Sequence, residues 1–164
     1  GAVVSRGVLL DVARALHREV LEPGHRISPE DLRVTDRLVR YRMRAAGEHK
    51  IGIRAVATTG RVGYIYPAGD PRALIIRNFL VNPSGEYVDV PWTDTHDLGY
   101  STQACNVNSG LGRFSELEYH VPAIGRGTGR MRCRDSAQVW AFRGPSDLIR
   151  GVVQVLLSGD AELT

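Results

Sequence analysis

Cysteine is scarce in this chain. Cys105 and Cys133 are the only two among 164 residues, too few and too far apart for a disulfide-stapled miniprotein or a short-spaced zinc motif. They read as buried thiols, with pairing as the alternative in an oxidising compartment. Lysine is scarcer still: Lys50 stands alone against twenty arginines, and these are spread along the chain without forming a run. A net charge of +3 distributed in this way gives no basic stripe of the kind that tracks a nucleic-acid backbone, so no nucleic-acid partner is expected. No apolar run approaches the roughly 20 residues that a membrane-crossing helix needs, so no membrane partner is expected either. The opening GAVVSRGVLLDVARAL is broken by Arg6, Asp11 and Arg14, unlike a signal peptide. A cytoplasmic protein without a signal peptide in the chain as given is the expectation.

What is present is ordinary globular material, 43% hydrophobic and 24% charged, enough for one domain with a core. Val8–Val20 places Leu9, Val12, Ala13, Leu16 and Val20 at helical spacing, although GVLLDV also reads as the start of a strand. Pro23-Gly24 ends that segment, and Ser28-Pro29-Glu30-Asp31 has the residues of a helix N-terminus. From Leu38 the period becomes two. LVRYRMRA sets Val39, Tyr41 and Met43 against Arg40, Arg42 and Arg44, a strand with one wet face. KIGIRAVA, RVGYIYP, ALIIRNFLV, YVDVPW, TQACNV, RFSELEYHVPAI and SAQVWAFRG follow, punctuated by Thr59-Gly60, Gly69-Asp70-Pro71 and Asn82-Pro83-Ser84-Gly85.

GRGTGRMRCRD reads as an exposed loop, and its glycines match no nucleotide fingerprint. Ser146 opens a closing helix with an apolar stripe of Leu148, Ile149, Val152, Val153 and Leu156. The expected fold is therefore mostly β: an antiparallel β-sandwich, jelly-roll-like, with short helices near both termini. Residues 1–35 form a helical or extended N-terminal segment and 36–164 the sandwich domain. Exposed sheet edges favour a homodimer.

Phe114–Ala123, FSELEYHVPA, carries the densest chemistry. Alternation puts Glu116, Glu118 and His120 on one face and Leu117, Tyr119 and Val121 on the other. Two carboxylates and an imidazole in a polar cleft can take and return protons. They can equally grip a divalent metal. A solvated outer strand face is the competing structural reading. Trp92 and the following Asp94-Thr95-His96-Asp97 form a second cluster, in which Trp92 can stack on a sugar ring, while Asp94 and Asp97 read more simply as caps of backbone amides. His17, His25 and His49 read as structural or surface residues.

LIIRNFLVNPSGEYVDVPWTD, LGRFSELEYHVPAIGRGTGR and DSAQVWAFRGP resemble the C-terminal half of an uncharacterised bacterial family similar to the galactose mutarotase-like superfamily of antiparallel sandwiches. The resemblance spans roughly Asp36 to Leu157. It implies half of a mutarotase-type sandwich and gives Glu118, in a Leu-Glu pair shortly before Pro122, the role of catalytic base. The family's acid histidine and sugar-binding arginine fall in a first half that this chain has no room for, so His120 or His96 would substitute as acid. On this reading the protein is a carbohydrate-binding or aldose-epimerase-like isomerase that needs no cofactor. Glu118 is the base, His120 the acid and Glu116 the tuning group, with Trp92, His96 and Arg113 as substrate contacts.

SRGVLLDVARALHREVLEPGHRISPEDL, Ser5 to Leu32, resembles instead a segment of the cyclase family that includes kynurenine formamidase-like hydrolases, without that family's metal motif. Two alternatives stay open. One is a metal-dependent enzyme with Glu116, Glu118 and His120 as ligands and His96 as a further candidate. The other is a non-catalytic sandwich fragment.

Overall fold

In the computed structural model, residues 2–6, 32–35, 38–42, 49–66, 69–88, 96–125 and 127–157 are described. They form a mostly β, antiparallel fold without a closed barrel. The strands are β1 (Ala2–Arg6), β2 (Leu32–Val34), β3 (Leu38–Arg42), β4 (His49–Arg54), β5 (Arg61–Tyr66), β6 (Arg72–Phe79), β7 (Tyr100–Ser109), β8 (Gly112–Tyr119) and β9 (Ala137–Gly144). A helix, α1 (Ser146–Leu157), follows. Six strands make one sheet in the order β2-β3-β1-β5-β6-β9, and β4-β7-β8 make a second. Since β1 lies between β3 and β5, the 1–35 segment contributes a central strand and, with β2, an edge.

The large sheet packs against α1 on one face and, over part of the other, against the small sheet. On one face Leu38, Ile65, Leu74 and Ile76 meet Ile149, Val153 and Leu157 of α1, with Trp140 and Phe142 packed against them. On the other, Tyr41, Val62 and Phe79 share a cluster with Ala104 of the small sheet, joined by Ile51, Leu117 and Tyr119. Leu38 and Val39, neighbours in sequence, are therefore both buried, on opposite faces. The alternation marked the strand correctly: Val39 and Tyr41 are buried on one face, while on the other Leu38 joins the helix-side core, Arg40 is half-buried and Arg42 is exposed.

Helix α1 follows from local chemistry. Pro145 precedes Ser146, the Ile149 amide donates to the Pro145 carbonyl at 3.1 Å, and Asp147 lies in the first turn, where the helix dipole favours an acid. Ile149, Val153 and Leu157 recur every four residues and face the sheet. Leu148, expected in the stripe, is exposed, and the buried stripe extends to Leu157, one turn beyond Val153. At the other end, Arg61 donates from Nη1 to the Leu156 carbonyl at 3.0 Å, satisfying an acceptor the helix leaves open. Its guanidinium also lies 5.7 Å from the Trp140 ring centroid.

Between the sheets, Arg77 reaches across from β6, donating to the Leu117 carbonyl at 3.1 Å with its guanidinium 5.2 Å from the Tyr119 ring. The Tyr119 ring itself stacks on Phe79 with centroids 4.8 Å apart. Three expectations meet different ends. The helical reading of Val8–Val20 and most of YVDVPW lie outside the described residues. Cys105 is buried as expected, but Cys133 is exposed and both thiols are free.

Truncating Leu157, which is fully buried, to Ala is expected to cost about 3 kcal/mol. The same change at exposed Leu148 should stay within about 0.5 kcal/mol. Urea unfolding of both variants checks the helix orientation, and equal losses would contradict it.

Candidate active site and metal centre

The site is built by a hairpin. β7 and β8 are joined by Gly110-Leu111, so Ser109 faces Gly112 and every later pair follows by counting back. A two-residue loop fixes register. Gly112 has φ +115°, a conformation side chains resist, so the turn is tied to glycine. The register sets Cys105 opposite Glu116 and Gln103 opposite Glu118. On the other side of β7, Lys50 pairs with Cys105 and Gly52 with Gln103. With side chains alternating across the strand, these six residues share the outer face of the small sheet, while Leu117 and Tyr119 turn inward to the core. The expected division of the FSELEYH strand therefore holds. The strand ends at Tyr119, and His120 follows with its amide donating to the Ser101 carbonyl at 2.8 Å.

The groups on this face touch one another. The Cys105 thiol donates to Glu116 Oε2 at 2.9 Å and lies 3.4 Å from Glu118 Oε1. Glu118 Oε2 is 3.7 Å from Lys50 Nζ and 3.5 Å from His120 Nε2. That same ring nitrogen is 3.2 Å from the Gln103 amide nitrogen. Unprotonated, it accepts from Gln103; protonated, it donates to Glu118. Gln103 is only 1% exposed and Cys105 7%, so the floor is dry, whereas Glu116 reaches solvent. Burial first, and then the hydrogen bonds and negative charge of Glu116 and Glu118, push the Cys105 thiol up to about 12. At neutral pH it is a hydrogen-bond donor and a poor nucleophile.

One further residue shapes the face. The Tyr100 ring lies over Gly52, where an added Cβ would meet ring carbons at 2.5 Å. Glycine is required for this close approach, which sets an aromatic ring over the β4 position that pairs with Gln103.

Of the residues singled out from sequence, Glu116, Glu118 and His120 are brought together. The compact ligand set is nevertheless Cys105, Glu116 and Glu118, whose ligand atoms all lie within 4.8 Å of one another, while His120 joins through Glu118 alone. His96 is exposed in the turn before Asp97. Asp97 has the structural role that its turn position suggested: it accepts from the Gly99 amide at 2.9 Å and pairs with Arg54 at 2.5 Å. Trp92, Asp94 and the Arg113 side chain lie outside the described residues. Cys105, Gln103, Lys50 and Tyr100 escaped the sequence reading because only the strand register brings them to this face.

No family model matches the chain, and no match was found among the curated proteins or the solved structures. No helix among the described residues is long and apolar enough to cross a membrane.

The thiol environment has a measurable signature. In a Cys133→Ser background, alkylation of Cys105 is expected to stay slow until well above pH 9, and Glu116→Gln with Glu118→Gln should shift its profile to lower pH. The folded thiol holds its proton more tightly than the unfolded thiol, at about 12 against 9.0. Its contribution to stability is therefore complete below pH 9 and lost as pH rises from 9 toward 12. Urea unfolding across that range should show a smaller loss in Cys105→Ser. An ordinary thiol profile would contradict the buried thiol–carboxylate contact.

Proposed function

We propose that the outer face of the small sheet binds a thiophilic divalent cation such as Zn²⁺ through Cys105, Glu116 and Glu118. The observation that carries this reading is the convergence of three acidic ligand atoms within 4.8 Å. Zinc bonds of about 2.3 Å to sulfur and 2.0–2.2 Å to oxygen place tetrahedral ligand atoms about 3.5 Å apart. The Sγ–oxygen separations of 2.9 and 3.4 Å lie just inside that spacing, so a small outward movement of the two carboxylates accommodates an ion. A cation also resolves the electrostatics, since three groups that repel as anions become ligands once a double positive charge sits among them. The thiol favours Zn²⁺, Co²⁺ or Cd²⁺ over Mg²⁺ or Ca²⁺, which prefer all-oxygen sites. Three protein ligands leave a fourth position for water or substrate, the arrangement of catalytic zinc, with His120 and Lys50 beside it on Glu118. This supports a metal-dependent enzyme acting on a small polar substrate. Binding releases the thiol proton, so affinity rises with pH.

A second reading rests on His120, whose Nε2 lies between Gln103 and Glu118. In it Glu118 takes a proton from a sugar's anomeric hydroxyl, His120 returns one to the ring oxygen, and Tyr100 supplies the stacking ring. The mutarotase-like resemblance, and a sandwich-type packing of the two sheets through their shared cluster, belong to this reading.

Elemental analysis separates the two. The purified protein is expected to hold close to one equivalent of zinc. Glu116→Gln or Cys105→Ser should weaken binding about 100-fold, the share of one ligand in a structural-zinc affinity. A protein that neither carries nor takes up metal would overturn the first reading. Anomer exchange on a panel of aldoses, abolished by Glu118→Gln, would then support the second.

A further inference from the structure

The four sheet edges among the described residues are unequally protected. β2 is three residues long and carries Arg33. β4 carries Lys50 and Arg54 and is interrupted by a register shift between Ile53 and Arg54. β8 carries Glu116 and Glu118. Short length, charge and bulges are the devices that keep edges from pairing. β9 has none of them over Ala137–Phe142: AQVWAF holds no charge, proline or glycine, and eight residues pair with β6 on its inner side alone.

Beside this edge, on the face turned away from α1, Val139 is 60% exposed and Ile75 of β6 is 45% exposed. Tyr66 of β5, also exposed, lies on the same face, since it pairs with Ala73. This apolar strip continues to the sheet's rim and stops where the next strand would begin.

We propose that the chain forms a two-fold homodimer by antiparallel pairing of β9 with β9 of a second copy. An antiparallel edge is its own complement, because the two-fold axis matches each strand's free amides and carbonyls to those of the other. The charges at the ends of the strand fit the same partner. Exposed Asp135, which accepts from the Tyr119 hydroxyl, precedes β9, and exposed Arg143 stands near its end. Antiparallel self-pairing brings the acid of each copy toward the arginine of the other, at both ends of the interface. A parallel pairing would set like charges together. The dimer joins the two large sheets into one of twelve strands and makes the Val139–Ile75 strips continuous across the axis. It leaves the Cys105 face free, since that face belongs to the small sheet.

Sedimentation velocity on the full chain over roughly 1 to 100 μM tests the proposal. The wild type should show a concentration-dependent dimer. Val139→Lys, which places a charge in the unguarded edge, and Arg143→Glu, which sets like charges together, should each weaken it at least about tenfold. Leu148→Lys on the exposed side of α1 should leave it unchanged, and thermal melts of each variant confirm folding. Asp135→Arg combined with Arg143→Glu should restore association. A wild type that stays monomeric throughout, or a dimer that neither single substitution weakens, would overturn the proposal.

Discussion

The pairing of β7 with β8 is the constraint on which the rest of the small sheet depends. Its register is set at one end by a two-residue turn, Gly110-Leu111, followed by a glycine at positive φ. Nine residues apart across that hairpin, Asn106 and Ser115 are opposite, and their side chains hydrogen-bond at 3.1 Å. A slip of one residue would exchange the faces of β8, sending Glu116 and Glu118 toward the core and Leu117 and Tyr119 to water. Tyr119 cannot leave cheaply: it stacks on Phe79, lies beneath Arg77 and donates to Asp135. The core side of β8 thus holds the chemical side in place.

The outer face then works as a single electrostatic unit. Cys105 is buried against two carboxylates, and Lys50 and His120 meet the second of them. None of these groups is unusual alone. The burial of Cys105 against the two carboxylates makes the thiol a donor, and a cation would convert the same donor into a ligand. The cation and the acid–base readings both use Glu118, so they exclude each other in any one state of the site.

Much of this fold was legible in the chain. The strand pattern located β3, β4, β5, β6, β7, β8 and β9 to within a few residues, and Ser146 marked the helix. The FSELEYH alternation correctly separated the acidic face from the apolar one, because alternation is local information carried by a single strand. What escaped was set by partners. The burial of Leu38 against α1 and the exposure of Leu148 on that helix depend on what packs where, whereas the exposure of Cys133 follows from the GRGTGRMRCRD loop. Cys105 looked like one more buried thiol in TQACNV. Only a register that no single strand encodes sets it between Glu116 and Glu118. The YVDVPW segment shows the reverse: its composition suggested a strand, yet Tyr87 and Val88 lie in irregular chain, where the Tyr87 hydroxyl binds the Asn82 carbonyl at 3.1 Å.

The most direct test of the central claim is cobalt absorption, because it reports which atom the metal touches. Metal-free protein titrated with Co²⁺ should develop a thiolate-to-cobalt charge-transfer band that saturates at one equivalent. The band should persist in Cys133→Ser and vanish in Cys105→Ser. No such band in the wild type, or one that follows Cys133, would contradict the assignment of Cys105, Glu116 and Glu118 as a metal site.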